Sequence, residues 1–290
     1  MELSVIIVSF NVRSFLKQCL LSVRKASENI TCEIIVIDNN STDDSCEMVL
    51  KEFPEVNLIR NRTNSGFSVA NNQGIKMSVG RFVLLLNPDT IVEEDTFTKC
   101  LNFMSQHNDA GATGVRMVNG DGIFLPESKR ALPDPTTAFF KIIGLAFLFP
   151  SSPVFNKYYL AQLDSFETSP AEVISGAFMF LRRDALDKTG LFDEDFFMYG
   201  EDIDLSYRLL QNGYNNYYFP GTQIIHFKGK STSRKDFTDL YHFYKAMRIY
   251  VRKRISERKF NRMHLSLIPA IYLRESLAII NRFYRITLKR

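Results

Sequence analysis

LLLNPDT, residues 84–90, runs three leucines into a polar turn and leaves a carboxylate, Asp89, just past the strand tip. A continuous apolar run bounded by turn residues is the pattern of a strand buried on both faces, as in a parallel sheet. The flanking sequence repeats the design. LSVIIVS (3–9), EIIVIDN (33–39) and VNLIRN (56–61) read as further strands, and RFVLLLN (81–87) is the fourth. Between them, RSFLKQCLLSVRKA (13–26) places apolar residues at 15, 16, 20, 21 and 23, the stripe of an amphipathic helix. Ser41, Asp43 and Asp44 open a second helix running to about Phe53, and FSVANNQGIKMS (67–78) is a third, with one polar face. Strands alternating with helices predict an α/β fold whose mostly parallel central sheet is flanked by helices.

Each of these strands ends in polar residues: Ser9 and Asn11; Asp38, Asn39 and Asn40; Asn61 with Asn64; Asn87 and Asp89. Ligands of open α/β sheets bind at the carboxyl ends of the strands, so these endings are expected to converge on one crevice. The chain lacks GxGxxG and GxxxxGK[ST], which argues against a dehydrogenase or a P-loop ATPase. A carboxylate at a strand end can accept from a nucleobase or ribose, and a second can hold a divalent ion that screens a diphosphate.

Beyond residue 110 the pattern loosens. TGVRMVN (113–119) and VISGAFMFLRR (173–183) read as strands, and NNYYFP (215–220) and QIIHF (223–227) as two short ones. EDIDLSYRLLQNG (201–213) is a helix closed by Gly213. Residues 131–170, with five prolines, form a long irregular segment. Its FFKIIGLAFLF (139–149) is too short to span a bilayer and is expected to be a buried helix or a lip touching membrane or a greasy substrate.

Composition is that of a globular protein, with 45% hydrophobic and 23% charged residues in 290. Four cysteines without a CxxC pair suggest no zinc site and a reduced compartment. MELSVIIVSFNV has neither the basic start nor the cleavage site of a signal peptide, so a cytoplasmic protein is expected. The charge is uneven. Residues 241–290 carry 13 Lys and Arg against two acids, net +11, which leaves −7 on the first 240 of a chain of net charge +4. A basic tail on an acidic body points to a polyanionic partner. With no nucleic-acid-binding motif in view, we expect an anionic membrane surface. A homo-oligomer through the C-terminal helices is the alternative.

VIIVSFN, VIDNNSTDDS, NSGFSVANNQG, LLLNPDT, SGAFMFLRRDA, GEDIDLSYRL and HFKGKS, in that order, resemble family-2 glycosyltransferases of the GT-A fold, in particular the bacterial rhamnosyltransferase-like branch. The resemblance covers roughly residues 1–235. It implies a nucleotide-sugar-binding half (1–110), an acceptor-binding and catalytic half (111–235), and a basic helical extension (236–290) outside the family pattern. It also implies an inverting transfer from a nucleotide-diphosphate sugar to a saccharide or lipid-linked saccharide, in cell-surface polysaccharide assembly, at the inner face of the membrane. By the same resemblance, Ser9, Asn11 and Asp38 contact the nucleoside, and Asn64, Gly66 and Asn71 shape the donor pocket. Asp89 matches the last carboxylate of the DXD motif, which holds Mg²⁺ or Mn²⁺ on the donor diphosphate. Asn87 stands where many relatives have Asp, so one charge is missing and a second ligand, His226, gains weight. Asp202 matches the catalytic base, and near a helix N-terminus it is free to face the crevice while Asp204 and Arg208 pair four residues apart. The rival readings are a sugar nucleotidyltransferase and a nucleotide-sugar-binding subunit without catalysis.

Overall fold

The computed structural model describes residues 1–133, 157–228, 237–255 and 263–287. The apolar FFKIIGLAFLF stretch and the end of HFKGKS lie outside the described residues. The first half follows the sequence pattern closely: β1 (Leu3–Ser9), α1 (Arg13–Ala26), β2 (Cys32–Asp38), α2 (Ser45–Glu52), β3 (Asn57–Arg60), α3 (Phe67–Met77) and β4 (Phe82–Leu86). Helix α2 starts later than Ser41 because residues 41–44 are spent on a polar turn, with Asn40 and Asp44 both in the left-handed region. The chain then forms β5 (Thr90–Val92), α4 (Thr96–Gln106), β6 (Ala110–Val118), β7 (Ser169–Pro170), β8 (Phe178–Arg182), α5 (Arg183–Thr189), α6 (Glu201–Gln211), β9 (Asn215–His226), α7 (Phe237–Ile255) and α8 (Met263–Thr287).

One mixed sheet results, in the order β3-β2-β1-β4-β8-β6-β9-β5, with β7 on β9. Parallel pairing joins β3, β2, β1 and β4 and recurs between β6 and β9, and it covers most of the paired residues. β8 enters antiparallel between β4 and β6. The two strands expected at 215–220 and 223–227 are one, β9, which absorbs an irregularity in register where Val115 and Arg116 of β6 pair with Phe219 and Gln223.

Every residue of β1 and of β4 is buried, as the leucine run predicts for strands covered on both sides. Alternation divides them between two cores: Leu3, Val5 and Ile7 pack with Leu16 and Leu20 of α1 and Phe97 of α4, whereas Ile6 and Val8 pack with Ala70 and Ile75 of α3 and Leu205 of α6. The architecture is helix layer, sheet, helix layer, and the parallel strands deliver their carboxyl ends to one edge.

The C-terminal helices pair with each other around Tyr244, Val251 and Ile271. Helix α7 also docks on the body. Lys253 pairs with Asp193 and Asp195, and the buried Arg254 donates to Asp204 Oδ1 at 2.7 Å and lies 3.6 Å from the Tyr207 ring centre. Among the described residues, no helix is long and apolar enough to cross a membrane.

Candidate active site

At the strand ends, Ser9 and Asp38 are register partners, and both are buried. Ser41 N–H donates to Asp38 Oδ2 at 2.8 Å, while Asp38 Oδ1 and Ser9 Oγ have no hydrogen-bond partner. Buried polar atoms without partners are costly. Asn11 does a different local job. In the left-handed region at φ 52°, it accepts from Thr42 N–H at 2.8 Å, and its own N–H donates to Ser41 Oγ, which pins the turn after β2 beside the end of β1.

Asn64 caps the next loop, its Oδ1 accepting from Gly66 N–H at 3.0 Å. Gly66 (φ +85°) leads into α3, and a Cβ there would lie 2.6 Å from the Phe197 carbonyl oxygen. That close approach lets Phe67 N–H donate to the same carbonyl at 2.7 Å, joining the donor-side loop to the segment that precedes α6. Asn71 is buried in α3 and donates to Phe67 O at 2.9 Å, so the described contact of its amide is within its own helix. Its neighbour Asn72 reaches across, donating to Phe192 O and Glu194 Oε1 and accepting from Phe192 N–H.

Asp89 sits between β4 and β5, 1% exposed. Neither carboxylate oxygen has a hydrogen-bond partner. Thr90 pairs directly with His226 across β5 and β9, which brings His226 Nε2 to 3.4 Å from Asp89 Oδ1. Phe227 N–H fixes the pair by donating to the Asp89 carbonyl at 2.9 Å. Two ligand types of the kind a divalent ion accepts therefore lie side by side; both Asp89 oxygens lack a partner, and on His226 the unpartnered nitrogen is Nδ1 rather than the Nε2 that faces Asp89. Among the described residues, no group of three His, Cys, Asp or Glu forms a candidate metal site.

Asp202 begins α6 in a contrasting environment. Its Oδ2 accepts from Arg130 Nη2 at 2.5 Å and from Gly176 N–H at 3.2 Å, and its Oδ1 accepts from Ile203 N–H at 2.8 Å. The predicted Asp204–Arg208 pair forms at 2.7 Å. Glu201, next to Asp202, is buried with Oε2 unpartnered; burial, reinforced by the Asp202 charge, lifts its carboxyl well above the usual range. Burial also works against the Arg130 charge, but Asp202 and Tyr158 more than offset it and the guanidinium stays charged.

One short segment links the two carboxylates. Gly176 N–H holds Asp202, and the next carbonyl, Ala177 O, accepts from Asn87 N–H at 3.0 Å, two residues before Asp89. The structure thus brings Asp89, His226 and Asp202 around residues 176–177, with Gly66 and Phe67 tied in through Phe197. Sequence reasoning did not single out Arg130. It stands in an irregular stretch, ESKRALP, with no periodicity or spacing to mark it.

This fold and its strand-end carboxylates define a glycosyltransferase of the GT-A type. The Glycosyl transferase family 2 model matches residues 4–190, and the chain belongs to that family. It is 29% identical over 265 residues to the N-acetylglucosaminyl-diphospho-decaprenol L-rhamnosyltransferase of Mycobacterium tuberculosis, covering 88% of this chain and 85% of the relative. It is 25% identical over 272 residues to rhamnosyltransferase WbbL of Escherichia coli, covering 89% and 97%. Among solved structures, the mannosyltransferase of Pyrobaculum calidifontis in complex with GDP-Man and Mn²⁺ superposes with a TM-score of 0.61 at 16% identity, covering 99% of this chain and 74% of that one. TarS 1–349 of S. aureus gives 0.59 at 20% identity, covering 96% and 72%.

Proposed function

We propose that this glycosyltransferase moves a deoxyhexosyl or hexosyl group, with inversion, from a nucleoside-diphosphate sugar to a hydroxyl of a lipid-linked saccharide in surface polysaccharide assembly. The observation that carries the reading is the contrast between two linked carboxylates: Asp89 beside His226 with no donor on either oxygen, and Asp202 held by Arg130 and by Gly176 N–H, next to the Ala177 carbonyl that accepts from Asn87 N–H. Asp202 acts as general base. It takes the acceptor hydroxyl proton as the new oxygen–carbon bond forms at the anomeric centre, and the nucleoside diphosphate leaves with the electrons of the old bond. Oδ1, whose described donor is Ile203 N–H, is the oxygen for that role, since Oδ2 already accepts two.

Asp89, with His226 beside it, fits a divalent ion, Mg²⁺ or Mn²⁺, because neither Asp89 oxygen has a donor and a substrate diphosphate would complete an oxygen-rich shell. Held there, an ion would offset the charge that develops on the departing diphosphate. Ser9 and Asp38 supply the unsatisfied atoms that receive the nucleoside, and Gly66 permits the close packing that shapes the wall of the donor pocket. The names of the rhamnosyltransferase relatives favour a rhamnosyl donor and a polyprenyl-linked acceptor.

Peripheral attachment at the inner membrane face belongs to the same proposal. Leu273, Leu277, Ile280 and Tyr284 of α8, at spacings of four, three and four, are exposed on one side of the helix, with Phe283 beside them. The net +11 of residues 241–290 suits an anionic surface. A stripe of this kind favours a helix lying in the interface over one paired with another subunit.

A thermal-shift panel of UDP-, GDP- and dTDP-sugars with and without Mn²⁺, followed by analysis of the transferred product, tests the reading. A true donor raises the melting temperature as its excess over Kd grows. Formation of a nucleoside triphosphate and a sugar 1-phosphate on adding pyrophosphate would identify a nucleotidyltransferase, and binding without nucleoside diphosphate release a mere binder. Leu277→Asp should keep the fold within about 0.5 kcal/mol, as exposed substitutions do, and lose sedimentation with anionic liposomes. Wild-type protein that ignores such liposomes at low salt removes the membrane part alone.

A further inference from the structure

Three separate pieces of chain meet on the Asp202 carboxylate. The first is α6, whose Ile203 N–H donates to Oδ1. The second is the segment before β8, through Gly176 N–H on Oδ2. The third is the stretch after β6, which sends Arg130 to the same Oδ2 at 2.5 Å. Arg130 is itself held. Val173 N–H donates to its carbonyl at 2.9 Å, and its Nη1 donates to Tyr158 Oη at 3.2 Å. Both side chains of the pair are almost buried, 11% exposed for Arg130 and 13% for Asp202.

We infer that Arg130 is a positioning residue for the transfer reaction: its guanidinium fixes the Asp202 carboxylate so that Oδ1, and not Oδ2, faces the acceptor hydroxyl. This rests on Asp202 being the general base. Geometry supplies the reason. A lone carboxylate at a helix start rotates about its side-chain torsions, and a general base must lie within hydrogen-bond reach of the proton it takes. Arg130 occupies one oxygen and leaves the other for chemistry. Charge supplies the second reason. Among the described residues, Arg130 pairs with Asp202 and Tyr158 backs the guanidinium, while the neighbouring Glu201 is buried and burial raises its carboxyl. Arg is suited to the task because its rigid planar fork fixes the orientation of the carboxylate it holds while bonding a second partner, whereas the rotatable ammonium of Lys fixes no such orientation.

The test compares Arg130→Ala, Arg130→Lys and Asp202→Asn, each checked for fold by circular dichroism and melting. The assay uses whichever UDP-, GDP- or dTDP-sugar is turned over by the wild type. For Arg130→Ala we expect kcat to fall about 10²-fold, in the range typical of acid–base assistance. Donor KM should change little, and added guanidinium ion should restore a substantial part of kcat. Arg130→Lys should fall between wild type and Arg130→Ala, and Asp202→Asn should be down roughly 10²–10⁴-fold with or without guanidinium. The inference is overturned if Arg130→Ala keeps wild-type kcat, if its loss appears in donor KM alone, or if guanidinium restores nothing in a folded variant. Failure of the underlying base assignment is read separately, as near-wild-type turnover by Asp202→Asn. If Arg130→Ala does not fold, Arg130→Lys with kcat equal to wild type overturns the inference by itself.

Discussion

Asp89 and Asp202 are both nearly buried carboxylates at one edge of the same sheet, and they are held in opposite ways. Around Asp89 the backbone is fixed, through the β5–β9 pairing and the Phe227 N–H, yet the side-chain oxygens have no donor. Around Asp202 both side-chain oxygens accept, from three donors including a guanidinium, two on Oδ2 and one on Oδ1. The helix that carries it is anchored further by Arg208 and by Arg254 of α7, both on Asp204. A buried carboxylate without a donor is destabilising until something binds it, whereas one with three donors is stable and pre-oriented. Under the proposed function, the difference separates a site that awaits a ligand from a group held for chemistry.

The largest effect should come from Asp202→Asn, which removes the proton acceptor and keeps the shape. Transfer should drop roughly 10²–10⁴-fold with donor binding intact; near-wild-type turnover would break the assignment of chemistry to this end. Asp89→Asn should act in the opposite sense on stability. Without metal the variant should melt higher than wild type, because a desolvated charge without a donor, costing about 1–3 kcal/mol or more, is gone. In the same variant the Mn²⁺-dependent donor shift should vanish. A lower melting point in metal-free buffer would show that Asp89 is satisfied in solution and that the contrast is false.

Arg254→Ala sharpens the comparison from the other side. It breaks the link of α7 to α6 but leaves Asp204 its Arg208 partner, so the cost should be about 1.5–3 kcal/mol, that of a hydrogen bond to a charged group. Chemical denaturation measures it. An unchanged midpoint would mean that the Arg254–Asp204 link contributes nothing to stability. A chain truncated near residue 240 should be destabilised as well, since it loses both Arg254 and Lys253.

A further prediction concerns Glu201. Its folded-state pKa is pushed up to about 8 from an ordinary 4.5, first by burial and then by Asp202. The folded state therefore holds a proton that the unfolded chain releases, and stability falls as pH rises from about 4.5 to about 8, then levels off. Glu201→Gln removes that slope. The melting temperature of the variant relative to wild type should climb between these two pH values by at least a few degrees, at roughly 2–4 °C per kcal/mol for a chain of this size class. Parallel pH curves would show that Glu201 ionises freely.

The sequence by itself determined the parallel half of the sheet and the positions of Ser9, Asp38, Asp89 and Asp202. Local patterns carry these: continuous apolar runs force strands covered on both faces, helical stripes supply the covering layers, and strand ends lie where the apolar run stops. It also carried the Asp204–Arg208 pair, because four residues on one helix are neighbours whatever surrounds them. Only the tertiary structure decided the rest. Sequence periodicity does not say that β8 inserts antiparallel between β4 and β6, that β9 is one strand with an irregular register, or that α7 is pinned to α6 by Arg254. Nor does it say that Arg130, 72 residues from Asp202, sits on its carboxylate. Those contacts join positions far apart in the chain, and they are fixed by packing and charge pairing across the fold, for which a local pattern has no counterpart.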